Sequence, residues 1–119
     1  MSCKIAQFKT QPIEKRIFLS NKLLSSYPDK IPVIVARGNT FSPEIKKNKF
    51  LFPKGISFAK VIVDLRKFIP NLKSSEAVFF FLENSVIPQN SILIDKIYEL
   101  YKTDDGFLYI YFTSENTFG

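Results

Sequence analysis

Lys49-Phe50-Leu51-Phe52, closed by Pro53-Lys54-Gly55, leads through Ser57 into Phe58, Ile62, Leu65 and Ile69, which share one helical face. The stretch reads as a strand, a turn, and a helix that Ser57 caps and Pro70 stops. Val61 and Phe68 flank the same apolar face. Upstream, Ile31-Pro32-Val33-Ile34-Val35 is a short β-branched run and predicts another strand, with Pro32 favouring a sheet edge. Residues 36–48, containing Gly38, Asn39 and Pro43, form a polar connector. Downstream, Ala77 to Leu82 is continuously apolar, as in a strand buried on both sides or central in a sheet. After a turn at Glu83-Asn84-Ser85, the four-residue repeat of Leu93, Ile97 and Tyr101 predicts a short helix, and Phe107 to Phe112 a last strand. At the other end, Pro12 suits a first helical position, with Ile13, Ile17, Leu24 and Tyr27 on one side of a helix ending before Pro28. Ile5 and Phe8, three apart, suggest one short helix before it. The order helix, helix, then β-β-α-β-α-β describes an α+β protein, a β-grasp with a mixed four-stranded sheet and an N-terminal two-helix extension. Its expected division is an extension over 1–27, a core over 28–112 and a flexible tail over 113–119.

Composition sets the outer bounds. The 119 residues are one domain's worth, and 13 Phe with 5 Tyr are ample for a core. No apolar run approaches the ~20 residues of a bilayer span, and no apolar leader follows Met1-Ser2-Cys3-Lys4, so a cytosolic protein is expected. One cysteine excludes an internal disulfide and suits a reducing compartment. With no His there is no imidazole base, no histidine triad and no His metal site. Cys3 reads as a spectator thiol, the dispersed glycines build no phosphate loop, and Asp104-Asp105-Gly106 reads as a tight turn entering a strand, ahead of a metal site or acid/base dyad. No enzyme, metal or cofactor is expected. Charge is uneven: residues 1–60 carry 12 Lys+Arg against 3 Asp+Glu, whereas residues 61–119 carry 5 against 8. Such asymmetry suits nucleic acid, an anionic membrane surface or an acidic peptide as partner, or serves only to keep a Phe-rich protein soluble.

Several segments resemble one family, the autophagy ubiquitin-like modifiers of the GABARAP and microtubule light-chain types. Pro12-Ile13-Glu14-Lys15-Arg16 is similar to its helix-opening motif, Lys30 to Val35 to its first strand, and Pro43-Glu44-Ile45 through Lys49-Phe50-Leu51-Phe52-Pro53 to its second. Most specific is the close, Asp105-Gly106-Phe107-Leu108-Tyr109 and then Ser114-Glu115-Asn116-Thr117-Phe118-Gly119. The resemblance spans about residues 12–119 and implies a ubiquitin-like β-grasp.

It also implies a function. The Gly119 carboxyl would be adenylated, passed as a thioester between cysteines of dedicated activating and conjugating enzymes, and amide-linked to phosphatidylethanolamine. A glycine suits that task, having no Cβ to crowd the acyl carbon under amine attack. The modifier would be cytoplasmic and monomeric, with a lipid-conjugated fraction on autophagosomal or other internal membranes. A second implied activity is capture of aromatic-x-x-aliphatic adaptor peptides as an added strand beside the second strand. The first pocket would be lined by Leu23, Pro32, Ile34, Leu51 and Phe107 beside Lys49, the second by Phe50, Phe52, Pro53, Ile56 and Val61 beside Asp64. Lys47, Lys49 and Arg66 would meet acids flanking the motif. Ile34 and Phe52 are equally readable as plain core.

The chain departs from the family's pattern at Leu19, where an acidic residue is customary, at Asp64, customarily apolar, and at Phe68, customarily basic; its connector after Ala36-Arg37-Gly38 is a residue shorter. These changes bear on ligand preference. Rival readings are a modifier attached to protein lysines, an unconjugated scaffold for acidic peptides and, more distantly, a nucleic-acid binder. The last lacks the aromatic pattern of the common RNA modules and is not expected.

Overall fold

The computed structural model describes residues 7–38, 45–70 and 77–114. A 3-10 turn at Gln7–Thr10 precedes α1 (Ile13–Ser26), β1 (Lys30–Arg37), β2 (Lys49–Pro53), α2 (Phe58–Arg66), β3 (Val78–Leu82), α3 (Ile94–Tyr101) and β4 (Leu108–Ser114). The four strands form one mixed sheet in the order β2-β1-β4-β3. β1 is parallel to β4, with Val33 opposite Leu108; β1–β2 and β3–β4 are antiparallel, with Val33 opposite Phe50 and Phe80 opposite Phe112. This is the expected ubiquitin-like arrangement.

Both faces of the sheet are covered. Odd-numbered Ile31, Val33 and Val35 of β1 join Leu108, Ile110 and Phe112 of β4 and Phe58, Val61 and Leu65 of α2 in the larger core, to which α3 adds Ile94 and Ile97. The opposite parity, Ile34 with Phe81, Tyr109 and Tyr111, meets Phe8, Phe107, Leu19 and Leu23 on the α1 side. Ser57 caps α2 as expected, accepting from the Lys60 N–H at 3.2 Å, which satisfies one of the first-turn donors.

Local expectations needed correction where hydropathy misled. Of the four residues expected on one side of α1, Ile13 and Tyr27 are 40% and 46% exposed and Ile17 and Leu24 half-buried, whereas polar Ser20 is buried. This helix seats through hydrogen bonds, so its inward stripe is Arg16, Ser20 and Leu23. Likewise Leu93 and Tyr101 are substantially exposed, and α3 buries Ile94 and Ile97. Strand β3 is lateral, not central. Its continuous apolarity reflects cover on both faces, which a sequence run cannot distinguish from a central position. Pro32 lies not on an edge strand but in β1, between β2 and β4. Val35 donates to the Asn48 carbonyl on the β2 side and Gly38 to Phe112 on the β4 side, so position 32 would donate towards β4. The β4 ladder begins only at Val33, and the missing N–H breaks no bond. Strand β4 runs to Ser114 and buries Thr113, past the boundary placed after residue 112.

Candidate functional site

The lateral position of β2 makes it the candidate docking edge. Its pairing with β1 turns the N–H and C=O of Phe50 and Phe52 inward, and those of Lys49 and Leu51 therefore outward. Side chains alternate independently of those groups. Phe50 and Phe52 enter the α2-side core, with rings stacked 5.6 Å apart, while Lys49 and Leu51 belong to the α1 side.

The residues assigned to the two pockets separate by face. Ile34, Phe107 and Leu23 share the α1-side cluster; Pro32 has the parity of Ile34, and Leu51 stands opposite it across the strand pair. Lys49 adds its ammonium on that side, 5.4 Å from the centre of the Phe8 ring. Phe50, Phe52 and Val61 share the α2-side cluster, with Ile56 packed against it. Pro53 is exposed and falls on the Lys49–Leu51 parity, so β2 does not bring it to the Phe50–Phe52 side. Most of these side chains are inaccessible: Ile34 and Phe107 are each 1% exposed, and Phe52 is 5%.

Three aromatic-rich details were not legible in the sequence. Phe68, which flanks the apolar face of α2 in the sequence, packs edge-to-face on Phe50 at 5.1 Å. The Lys47 ammonium sits 4.9 Å from the Phe50 ring centre and 5.8 Å from that of Phe68, and so covers the α2-side aromatics as Lys49 covers Phe8. Phe8 is 4% exposed and stands edge-to-face on Phe107 at 5.1 Å. Asp64 is turned towards Lys60 at 3.2 Å and Lys67 at 3.8 Å along α2, and keeps access to water, so its charge is not stranded in apolar surroundings. Arg66 closes α2 and is half-buried. Gly119 lies outside the described residues, as do Cys3, Ile5, Pro43 and Glu44.

The α1-side wall is fixed by a polar anchor at the turn before β4. Asp105, 1% exposed, accepts from Arg16 Nη1 at 2.7 Å, from the Phe107 N–H at 3.0 Å, and from the Thr103 and Tyr109 hydroxyls. The Ser20 hydroxyl donates to the Asp105 carbonyl at 2.6 Å, and the Tyr98 hydroxyl to that of Gly106 at 2.7 Å, so α1 and α3 are bolted to one turn. Gly106 has a φ of +87°, and a Cβ there would strike Ser20, so glycine is required twice over. Burial pushes the Asp105 carboxyl up, but the four hydrogen bonds to it win and hold it below the usual carboxylate range. The same contact raises Arg16, and burial with the neighbouring carboxylate raises Tyr109. The anchor borders an open polar recess of about 390 Å³. Two of its lining carboxylates are engaged, Glu83 by Lys9 and Tyr111 and Asp105 by Arg16.

The family model described as "Autophagy protein Atg8 ubiquitin like" matches residues 15–119. Autophagy-related protein 8 of Dictyostelium discoideum is 39% identical over 117 residues, covering 97% of this chain and 95% of the relative. Autophagy-related protein 8a of Arabidopsis thaliana is 39% identical over 111 residues, covering 92% and 89%. Among solved structures, Trypanosoma brucei ATG8 superposes with a TM-score of 0.87 at 30% identity, covering 98% of this chain and all of that one. Plasmodium falciparum Atg8 in complex with a Plasmodium falciparum Atg3 peptide gives a TM-score of 0.83 at 30% identity, covering 95% and 98%.

Proposed function

Because the chain belongs to the Atg8 family of ubiquitin-like autophagy proteins, we propose that it is conjugated through Gly119 to phosphatidylethanolamine and captures acidic aromatic-x-x-aliphatic peptides along β2. Members of this family are ubiquitin-like modifiers rather than enzymes. The conjugated form would sit on autophagosomal or other internal membranes, and the free form would be a cytoplasmic monomer. A relative solved with an Atg3 peptide supports a conjugating enzyme among the partners.

The observation that carries the peptide reading is the edge position of β2, flanked by one apolar cluster on each side and by Lys47 and Lys49. An extended peptide would gain backbone bonds from Lys49 and Leu51, while its alternate side chains reach towards the two clusters. Basic residues at both clusters select acids around the motif.

The test is titration calorimetry with an acidic aromatic-x-x-Leu peptide. Leu51→Ala removes side-chain contact at the centre of the groove and is expected to cost about 2 kcal/mol, roughly thirtyfold in affinity. Lys49→Ala is expected to cost less, with a deficit that shrinks as salt rises, because an exposed charge pair contributes only ~0.2–1 kcal/mol. Wild-type affinity in a folded Leu51→Ala protein would put the groove elsewhere.

A further inference from the structure

We infer that Phe8 is an internal occupant of the first aromatic pocket, which a peptide ring must displace before it binds; this rests on the groove reading above. The family resemblance implies Leu23, Ile34, Lys49 and Phe107 as lining of that pocket. In the structure the ring they surround belongs to the protein: Phe8 shares a cluster with Ile34 and Phe107, Leu23 packs against that cluster, and Lys49 lies over the ring. Its edge-to-face contact with Phe107, at 5.1 Å, is the contact a peptide aromatic would make there. With Phe8 in place, neither Ile34 nor Phe107 has more than 1% of its surface open.

Phe8 is also the member of that cluster best able to leave. Ile34, Phe81, Tyr109 and Tyr111 belong to strands, and Phe107 abuts β4. Phe8 belongs to a four-residue 3-10 turn. The contacts around it are peripheral: Lys9 pairs with Glu83 and lies 4.6 Å from the Tyr109 ring centre, and Thr10 bonds back to the Gln7 carbonyl. Such exposed contacts are individually weak and reversible. Lys49 links the two occupants. Its ammonium lies over the Phe8 ring while the pocket is self-occupied and meets a peptide acid only once that ring has left.

Self-occupancy multiplies every dissociation constant by the same factor, the reciprocal of the open fraction. If about a tenth of molecules are open, Phe8→Ala tightens binding about tenfold, equally for an acidic aromatic-x-x-Leu peptide and for its neutral counterpart. The chain has no tryptophan, so Phe8→Trp supplies a single indole to follow. Its emission is expected to be blue in the free protein and to move red when a Phe-x-x-Leu peptide saturates the groove. Two peptides titrated against wild type, Phe8→Ala, Phe8→Trp and Leu51→Ala separate the possibilities. If Leu51→Ala weakens binding while Phe8→Ala binds no tighter and the indole stays blue, Phe8 is a fixed floor; the inference falls and the groove stands. If Leu51→Ala leaves affinity unchanged, the groove reading falls and takes the inference with it. If Phe8→Ala folds poorly, the indole emission decides alone.

Discussion

Deletion of Gly119 is expected to yield a protein that melts within about 2 °C of wild type and is recovered from cells with no membrane-bound form. The fold should be indifferent, because the last buried side chain described, Thr113, lies upstream in β4. The chemistry should not be. Conjugation needs the carboxyl to be activated, carried as a thioester and attacked by an amine, and Phe118 would present a carboxyl beside a bulky Cβ substituent. Gly119→Ala is therefore expected to slow conjugation and not abolish it. Intact mass of the membrane fraction reads the outcome: lipid added at Gly119 in wild type and nothing in the deletion. A protein adduct in place of lipid would favour lysine attachment, and lipid retained after the deletion would remove Gly119 from the chemistry.

The order and kind of elements were legible because each has a local cause. Ser57 before a 3.6-residue apolar repeat is a helix start, and Asp105-Gly106 before six apolar residues is a turn entering a strand. What failed was orientation. Hydropathy placed Ile13 and Tyr27 of α1 inward, yet α1 is held by Arg16 and Ser20 reaching a carboxylate and a carbonyl 85 or more positions away. No window of sequence contains that pairing. Strand position stayed open between cover on both faces and a central place, since Val78–Leu82 is covered above and below and would read the same at the rim or the centre. The pocket residues were drawn from a resemblance, which carries positions but not occupancy. That Phe8 stands on Phe107 is a property of packing, and the only hint of it in the sequence was an isolated aromatic in a basic segment.

The largest structural effect is expected at Asp105, a residue the sequence presents as part of a turn and of the closing motif, with no sign of its partners on α1. Asp105→Ala leaves Arg16 Nη1, the Tyr109 hydroxyl and the Phe107 N–H without their acceptor, and the Thr103 hydroxyl with only the Phe107 carbonyl at 3.2 Å. Removing one partner of such a network costs about 3 kcal/mol, on the order of 10 °C in Tm. The pH dependence follows from the direction of the shift. A carboxyl held below its unfolded value contributes fully above the ordinary carboxylate range and loses that contribution as pH falls through its lower, folded value. Wild-type Tm should therefore decline on acidification in that range, and Asp105→Asn, which cannot titrate there, should lose that part of the slope. The damage should extend to binding, because α1 carries Leu19 and Leu23 to the cluster proposed as the first pocket and is fastened through Arg16 and Ser20 to this turn. Asp105→Ala is expected to weaken the acidic peptide several-fold at a temperature where it remains folded, although Asp105 is itself buried away from the groove edge. Thermal melts from pH 7 to 3 with calorimetry on the same variants would test both halves. A Tm within 2 °C of wild type, or an acid slope unchanged in Asp105→Asn, would mean that α1 is held by Phe8, Leu19 and Leu23 and not by this anchor.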